Sequence, residues 1–175
     1  MMNFVARFLS RPEPKISEAG DRDAASIATL HAASFQRGWG EDEFHRLLID
    51  RAVVAHRAMI GRTMAGFILS RMAAGEAETL SVAIAPAWRG RGFARPLLDL
   101  HLRRLAGLGV DAVFLEVDEN NAPARRLYRK AGFTEVGGRK AYSQEGASAV
   151  VLRRGLGHAA DEAAALLHVE RAVGH

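Results

Sequence analysis

The chain has 175 residues, 49% hydrophobic and 25% charged, enough for one sizeable core, so a single domain is expected. It contains no cysteine, which excludes a disulfide framework, a thiolate nucleophile and any Cys-ligated metal. No run reaches the ~20 apolar residues of a membrane span, and the apolar stretch within residues 1–11 is too short for a secretory signal. The formal charge of +4, from 21 arginines and 3 lysines against 20 acids, favours phosphate-bearing or acidic partners only weakly. A cytoplasmic protein with neither a membrane nor a nucleic-acid partner is expected.

Residues 1–14 hold Pro12 and Pro14 and little pattern beyond Phe4, Val5, Phe8 and Leu9, which reads as an N-terminal arm. Residues 16–19 read as a strand, and Asp21 or Asp23 as the cap of a helix carrying Ile27, Leu30, Ala33 and Phe35. A loop with Gly38, Trp39 and Gly40 leads to a short helix over 41–50, with Phe44, Leu47 and Leu48 on one side. Strands over 52–60, 64–72 and 78–85 follow, the first two joined by Gly61-Arg62-Thr63, and form an antiparallel meander. Pro86 ends the third. After a glycine-containing turn, Leu97, Leu98, Leu102 and Leu105 mark a helix over 94–108, closed by Gly107 and Gly109. A buried strand over 112–117, a helix over 121–131 ended by Gly132, and strands over 133–142 and 147–153 complete the series.

This order predicts an α/β domain over residues 15–153. It has a mixed central sheet of about six to seven strands flanked by about four helices, and one functional crevice. The strand–helix–strand units within 78–133 are expected to be parallel and right-handed. Residues 154–175, rich in alanine and leucine, read as a C-terminal helical extension.

A strand, a glycine turn and a helix in direct succession is an arrangement that binds a diphosphate, because the first-turn N–H groups are unpaired and the helix dipole is positive there. Arg89-Gly90-Arg91-Gly92-Phe93-Ala94-Arg95 supplies it. The glycines let the backbone approach phosphate oxygens, and the arginines offer charge-assisted contacts. A P-loop is excluded because no Gly-Lys-Ser/Thr follows, and a dinucleotide fingerprint because Arg95 stands where a third glycine belongs.

The run Leu80-Ser81-Val82-Ala83-Ile84-Ala85-Pro86 followed by Arg89-x-x-Gly92-x-Ala94 resembles the acetyl-CoA motif of the GNAT N-acetyltransferases. Leu115-Glu116-Val117, Asn121, Leu127-Tyr128 and Gly132-Phe133 are similar to the second half of its ribosomal-protein alanine N-acetyltransferase branch, the RimI type. Glu76-Ala77-Glu78 and the Trp39-containing loop before Phe44 fit the same pattern, with Gly40 where that branch often has serine. The resemblance implies that Val82, Ala83 and Ile84 present backbone groups to the pantetheine arm of acetyl-CoA, that residues 90–95 hold its pyrophosphate, and that Asn121 contacts it. Tyr142 matches a tyrosine near that branch's peptide site; a cross-strand packing role fits it equally.

Acetyl transfer to an amine needs a neutral amine, an oxyanion site and a proton for the departing thiolate. Glu116, near the carboxyl end of a buried strand and at the position of the family's base, is the candidate base. Glu78 is a second carboxylate near the crevice, ranked below it. Tyr128 is the candidate acid, and a backbone N–H between Val82 and Ile84 the oxyanion donor. Trp39 and Phe44 either wall the amine entrance or simply pack.

The histidines at 31, 45, 56, 101, 158, 168 and 175 lack metal-ligand spacing, so no metal is assigned and most are expected on the surface. No serine lies in a Gly-x-Ser-x-Gly elbow. The expected activity is acetylation of a protein or peptide N-terminus, a ribosomal protein among the candidates. A small-molecule amine as acceptor, or a CoA-liganded module without turnover, are the alternatives.

Overall fold

The computed structural model describes residues 12–140 and 148–157. Residues 1–11 of the expected arm, 158–175 of the expected extension, and Tyr142 lie outside them.

In chain order the elements are β1 (Lys15–Glu18), a 3-10 turn (Asp21–Asp23), α1 (Ala24–Ser34), α2 (Glu41–Ile49), β2 (Val53–Ile60), β3 (Thr63–Ala73) and β4 (Glu76–Ile84). A second 3-10 turn (Pro86–Trp88), α3 (Ala94–Gly107), β5 (Ala112–Asp118), α4 (Ala122–Lys130), β6 (Thr134–Lys140) and β7 (Ser148–Gly155) follow. Pattern and punctuation explain them: α3 turns four of its five leucines inward and stops at Gly107, and α4 starts where Asn121 Oδ1 accepts a hydrogen bond from the Ala124 N–H at 3.1 Å.

Asp23 departs from the expectation. Its carboxylate accepts from the Gly20 N–H at 2.9 Å and pairs with Arg57, and makes no cap bond to α1. An almost fully buried carboxylate needs a cation more than a helix end needs a side-chain cap, and β2 brings Arg57 to it.

The seven strands form one mixed sheet in the order β1-β2-β3-β4-β5-β7-β6. The stretch β1 to β4 is antiparallel, β4 and β5 are parallel across α3, and β7 is antiparallel to both β5 and β6. The expected closing pair therefore exists, but its second member is inserted between β5 and the first.

Two cores cover the two faces. Under α3 and α4 lie Ile68, Leu97, Leu105, Val113 and Leu115. Under α1 and α2 lie Ile27, Phe44, Phe67 and Leu69. Each such side chain contributes roughly 1.5–3 kcal/mol of transfer free energy. Three histidines share this interior: His31, His56 and His101 are exposed by only 4%, 2% and 0%, whereas His45 is exposed and the other three lie outside the described residues. Period-two and helical spacing assign a residue to a face, yet they do not show whether a polar residue on that face finds a partner. Among the described residues no helix is long and apolar enough to cross a membrane.

Candidate functional site

Pairing between β4 and β5 stops early. The parallel register runs from Glu76–Ala112 to Thr79–Leu115, whereas β4 continues to Ile84 and β5 to Asp118. A bulge in β4 accompanies the separation. Opposite β3, Ser70 faces Thr79 and Leu69 faces Ser81, so Leu80 is an extra residue and the strand bends there. Past the bulge the β5-side edge of β4 has no strand partner among the described residues, and a cleft of about 440 Å³ opens between the two strands. Thr79, Leu80, Ser81 and Val82 line one wall. Leu115, Glu116, Val117 and Asp118 with Asn121, Ala124 and Tyr128 line the other, and His31, Phe35, Arg37 and Trp39 close it from the α1–α2 side.

Glu116 lines this cleft and also a second pocket of about 290 Å³ bounded by Arg71, Glu78, Phe114 and Val151. It is exposed, between buried Leu115 and Val117, so alternation along β5 turns it away from the α3–α4 core. Glu78 lines only the second pocket, beside Arg71 across β3 and Phe114 across β5. The structure thus puts both candidate carboxylates on neighbouring strands, with Glu116 alone at the junction of the two cavities.

Tyr128 reaches the cleft from the opposite side. It is 6% exposed and packs edge-on against Phe133 at 5.6 Å between ring centroids. Burial disfavours the phenolate and pushes its pKa up to about 12, so the hydroxyl keeps its proton and remains a donor. Asn121 lines the cleft while its carbonyl caps α4, which leaves its amide N–H groups as the available donors. Trp39 lines the cleft and also stacks on His31 at 5.1 Å, so walling and packing are one arrangement. Phe44 is wholly buried and belongs to the core.

The glycine turn lies between β4 and α3. Gly90 and Gly92 have φ of 70° and 81°, the left-handed region that only glycine enters without strain, and a Cβ at either would meet open space. Phe93, at the N-cap of α3, gives no side-chain cap, and among the described residues no side chain claims the first-turn N–H groups of Ala94 and Arg95. All three arginines have partners within the chain. Arg89 donates to the Ile84 carbonyl at 2.9 Å and to Ser34 Oγ at 3.3 Å, Arg91 lies over the Trp88 ring at 5.0 Å, and Arg95 pairs with Asp99 at 2.9 Å. Among the cofactor candidates on β4, Val82 lines the cleft, whereas Ala83 and Ile84 turn their side chains into the two cores and offer only backbone.

Among the cleft residues that sequence reasoning missed, His31 and Ser81 carry polar atoms whose surroundings are informative. His31 accepts a hydrogen bond at Nδ1 from the Trp39 N–H at 3.1 Å, and burial lowers its pKa although nearby Glu43 opposes this. Its spacing from Phe35, the residue that ends α1, was the available signal. Ser81, next to the bulge, is 7% exposed, and its Oγ has no hydrogen-bond partner among the described residues. A buried hydroxyl left in that state costs about 1–3 kcal/mol and marks a position where a ligand oxygen or N–H fits. No group of three His, Asp or Glu side chains able to hold a metal occurs among the described residues.

The geometry gives a slot between two strands, a glycine turn opening a helix at one end, a carboxylate at a junction of cavities and a proton-retaining phenol. Comparison with known proteins is consistent with it. Residues 24–133 match the family model described as acetyltransferase (GNAT) family. The chain is 36% identical to N-alpha-acetyltransferase RimI of Mycobacterium tuberculosis, over 77% of this chain and 88% of that protein. It is 33% identical to an uncharacterized protein of Mycobacterium leprae, over 86% of this chain and 46% of that protein. The chain spans about half the length of the first curated relatives it matches. Its fold superposes on the ribosomal-protein-S18-alanine N-acetyltransferase of Escherichia coli with a TM-score of 0.76, at 24% identity, covering 82% of this chain and 94% of that one.

Proposed function

The chain belongs to the GNAT acetyltransferase family, and from that premise we propose that it moves an acetyl group from acetyl-CoA to the α-amine of a protein or peptide N-terminus. The observation that carries this reading is the separation of β4 from β5 beyond Thr79–Leu115, with Glu116 and Tyr128 on the walls of the cleft it opens.

The residues fit the cofactor. Its pantetheine arm needs backbone partners in an extended groove, and the unpaired edge of β4 at Val82, Ala83 and Ile84 offers them. Its pyrophosphate needs N–H groups and positive potential, which the Gly90-Arg91-Gly92-Phe93-Ala94-Arg95 turn and the start of α3 provide, with Arg89 bracing the turn and Asn121 across the cleft. When bound, acetyl-CoA supplies an activated acetyl thioester. Glu116 takes the amine proton, directly or through one water, and Tyr128 holds a proton for the leaving sulfur.

The acceptor follows from acidity. An α-amine, near ~7.7–8.0, is partly neutral at cellular pH, while a lysine amine near ~10.4 is not. One exposed carboxylate suits the former. The pocket holding Glu78 and Arg71 adjoins Glu116 and has room for the chain beyond the first residue, with Trp39 on the other side of the entrance.

The test is release of free CoA from acetyl-CoA with peptides of varied first residue, the same peptides with the α-amine blocked, and small amines. Turnover on free peptides alone is the expected result. Turnover on small amines alone would move the acceptor class.

A further inference from the structure

Two groups of buried polar side chains adjoin the cleft, and they lie on opposite faces of the sheet. His56 on β2, His101 on α3, Ser70 on β3 and Thr79 on β4 join one another in turn at 2.8, 2.8 and 3.0 Å under α3, on the face from which Glu116 is turned away. His31 and Trp39 lie on the other face. There the His31 ring packs beside Phe44 and Phe67 in the core under α1 and α2, so His31 shares a face of the sheet with Glu116 and lines the same cleft.

The His31 ring is held in one orientation. Trp39 stacks on it at 5.1 Å between centroids, Phe44 meets it edge-on at 5.3 Å, and Nδ1 accepts the Trp39 N–H at 3.1 Å. An imidazole nitrogen has a single in-plane lone pair, so that bond leaves Nδ1 without a hydrogen and puts the hydrogen of the neutral ring on Nε2. Burial lowers the His31 pKa, with Glu43 opposing it, which favours the neutral ring. A hydroxyl could turn its hydrogen elsewhere, whereas Nε2 can only donate, along one direction in the ring plane. Nε2 has no hydrogen-bond partner among the described residues. The only buried side-chain nitrogen or oxygen in that state among them is Ser81 Oγ, so Nε2 is reached by solvent. His31 is 4% exposed, and the cavity it lines is the cleft.

We propose that His31 Nε2–H donates to the carbonyl oxygen of the acceptor's first residue, and so selects amines with a carbonyl group on the amine-bearing carbon. This rests on the acetyltransferase reading above. The attacking nitrogen needs its lone pair for the thioester carbon, so a fixed donor on the acceptor side has no favourable use at the amine itself. The nearest acceptor atom on a peptide N-terminus is the carbonyl oxygen of its first residue. A lysine side chain, a polyamine and a simple alkylamine have no carbonyl at that position. With Glu116 taking the amine proton and His31 holding the carbonyl, an α-amine is fixed at two points from one face of the sheet.

A peptide and its analogue with the first amide replaced by a trans-alkene, which keeps the shape and removes the oxygen, separate this role from a packing one. In the natural chain the KM of the analogue should exceed that of the peptide by roughly threefold to tenfold, the size of one neutral hydrogen bond. His31→Phe also frees the Trp39 N–H, so KM can rise for both acceptors, and the ratio between them reads the carbonyl contact alone. That ratio should fall to about one in His31→Phe, and His31→Gln, which keeps an amide donor, should restore much of it. A ratio unchanged in His31→Phe would leave His31 as a support for Trp39 only and overturn the proposal.

Imidazole resonances of the natural full chain give a readout that depends neither on turnover nor on the folding of a variant. Without ligand, nitrogen NMR should show His31 Nδ1 bare and Nε2 protonated. With CoA bound, adding the peptide should move the Nε2–H proton downfield and slow its exchange, and the alkene analogue should do neither. A hydrogen found on Nδ1, or a peptide-saturated protein whose Nε2–H is unmoved, would overturn the proposal. Absence of acetyl transfer to any acceptor, with the peptide still moving Nε2–H, would support the carbonyl contact and count against the acetyltransferase reading alone.

Discussion

The two halves of β4 make opposite use of the same backbone. From Glu76 to Thr79 the strand is hydrogen-bonded to β3 on one side and β5 on the other, while from Leu80 to Ile84 it keeps β3 and loses β5. The first half is sheet interior. The second half is an edge inside the domain, and an edge of unpaired N–H and C=O groups accepts an extended partner. What separates them is one extra residue, Leu80, and the residues proposed for chemistry gather where the separation begins.

The sharpest way to break this contrast is to remove the chemistry and leave the cleft. Glu116→Gln should lower kcat by roughly 10²–10⁴ with acetyl-CoA affinity nearly unchanged, as expected for loss of a general base. Single-turnover kinetics beside a direct binding titration would check it, and a parallel loss of affinity would make Glu116 a structural residue.

Tyr128→Phe should come next, with a fall in kcat of roughly 10², the lower end of the range for a positioned acid or base. With a pKa raised to about 12 the hydroxyl is protonated at all working pH values and loses its proton only as pH rises past that value. The basic limb of the pH–rate profile should therefore be the same in Tyr128→Phe and the natural chain. A basic limb that vanishes in the variant would show that the phenol titrates in the working range.

Gly66→Ala tests the free half through its packing. A Cβ there would lie 2.6 Å from Ile84 Cδ1 and 3.0 Å from the Ala83 carbonyl oxygen, pressing on the segment proposed to hold pantetheine. Overpacking of this kind costs about 1–3 kcal/mol. Thermal unfolding and acetyl-CoA binding should weaken together; a loss of stability with affinity intact would uncouple Ile84 from the cofactor.

The smallest effect has the opposite sign. Ser81→Ala removes the buried hydroxyl that lacks a partner, so the protein without ligand should gain about 1 kcal/mol of stability. The increase in Tm on adding acetyl-CoA should shrink. A destabilised variant would mean that Ser81 is already satisfied in the absence of ligand.

Much of this was legible in the residues. Gly90 and Gly92 mark a turn that needs positive φ, the leucines of α3 mark its buried stripe, and the approach of Glu116 and Tyr128 to one crevice follows from a strand and a helix in succession. These are local patterns, or a family's signature in local form. The bulge at Leu80 and the partners of Asp23 and of the buried histidines were not legible, because each depends on a residue distant in sequence. His56 and His101 are 45 positions apart, and neither position announces the other.

The sequence by itself determined the elements, their order and the chemical types available at the site, since periodicity, capping and turn chemistry act over a few residues. Tertiary structure decided where β4 and β5 part, that β7 enters between β5 and β6, that Glu116 rather than Glu78 stands where two cavities meet, and that polar side chains from four elements join beneath the cleft. The physical reason is that strand pairing and buried polar satisfaction are settled between segments, and are fixed only when packing brings those segments together.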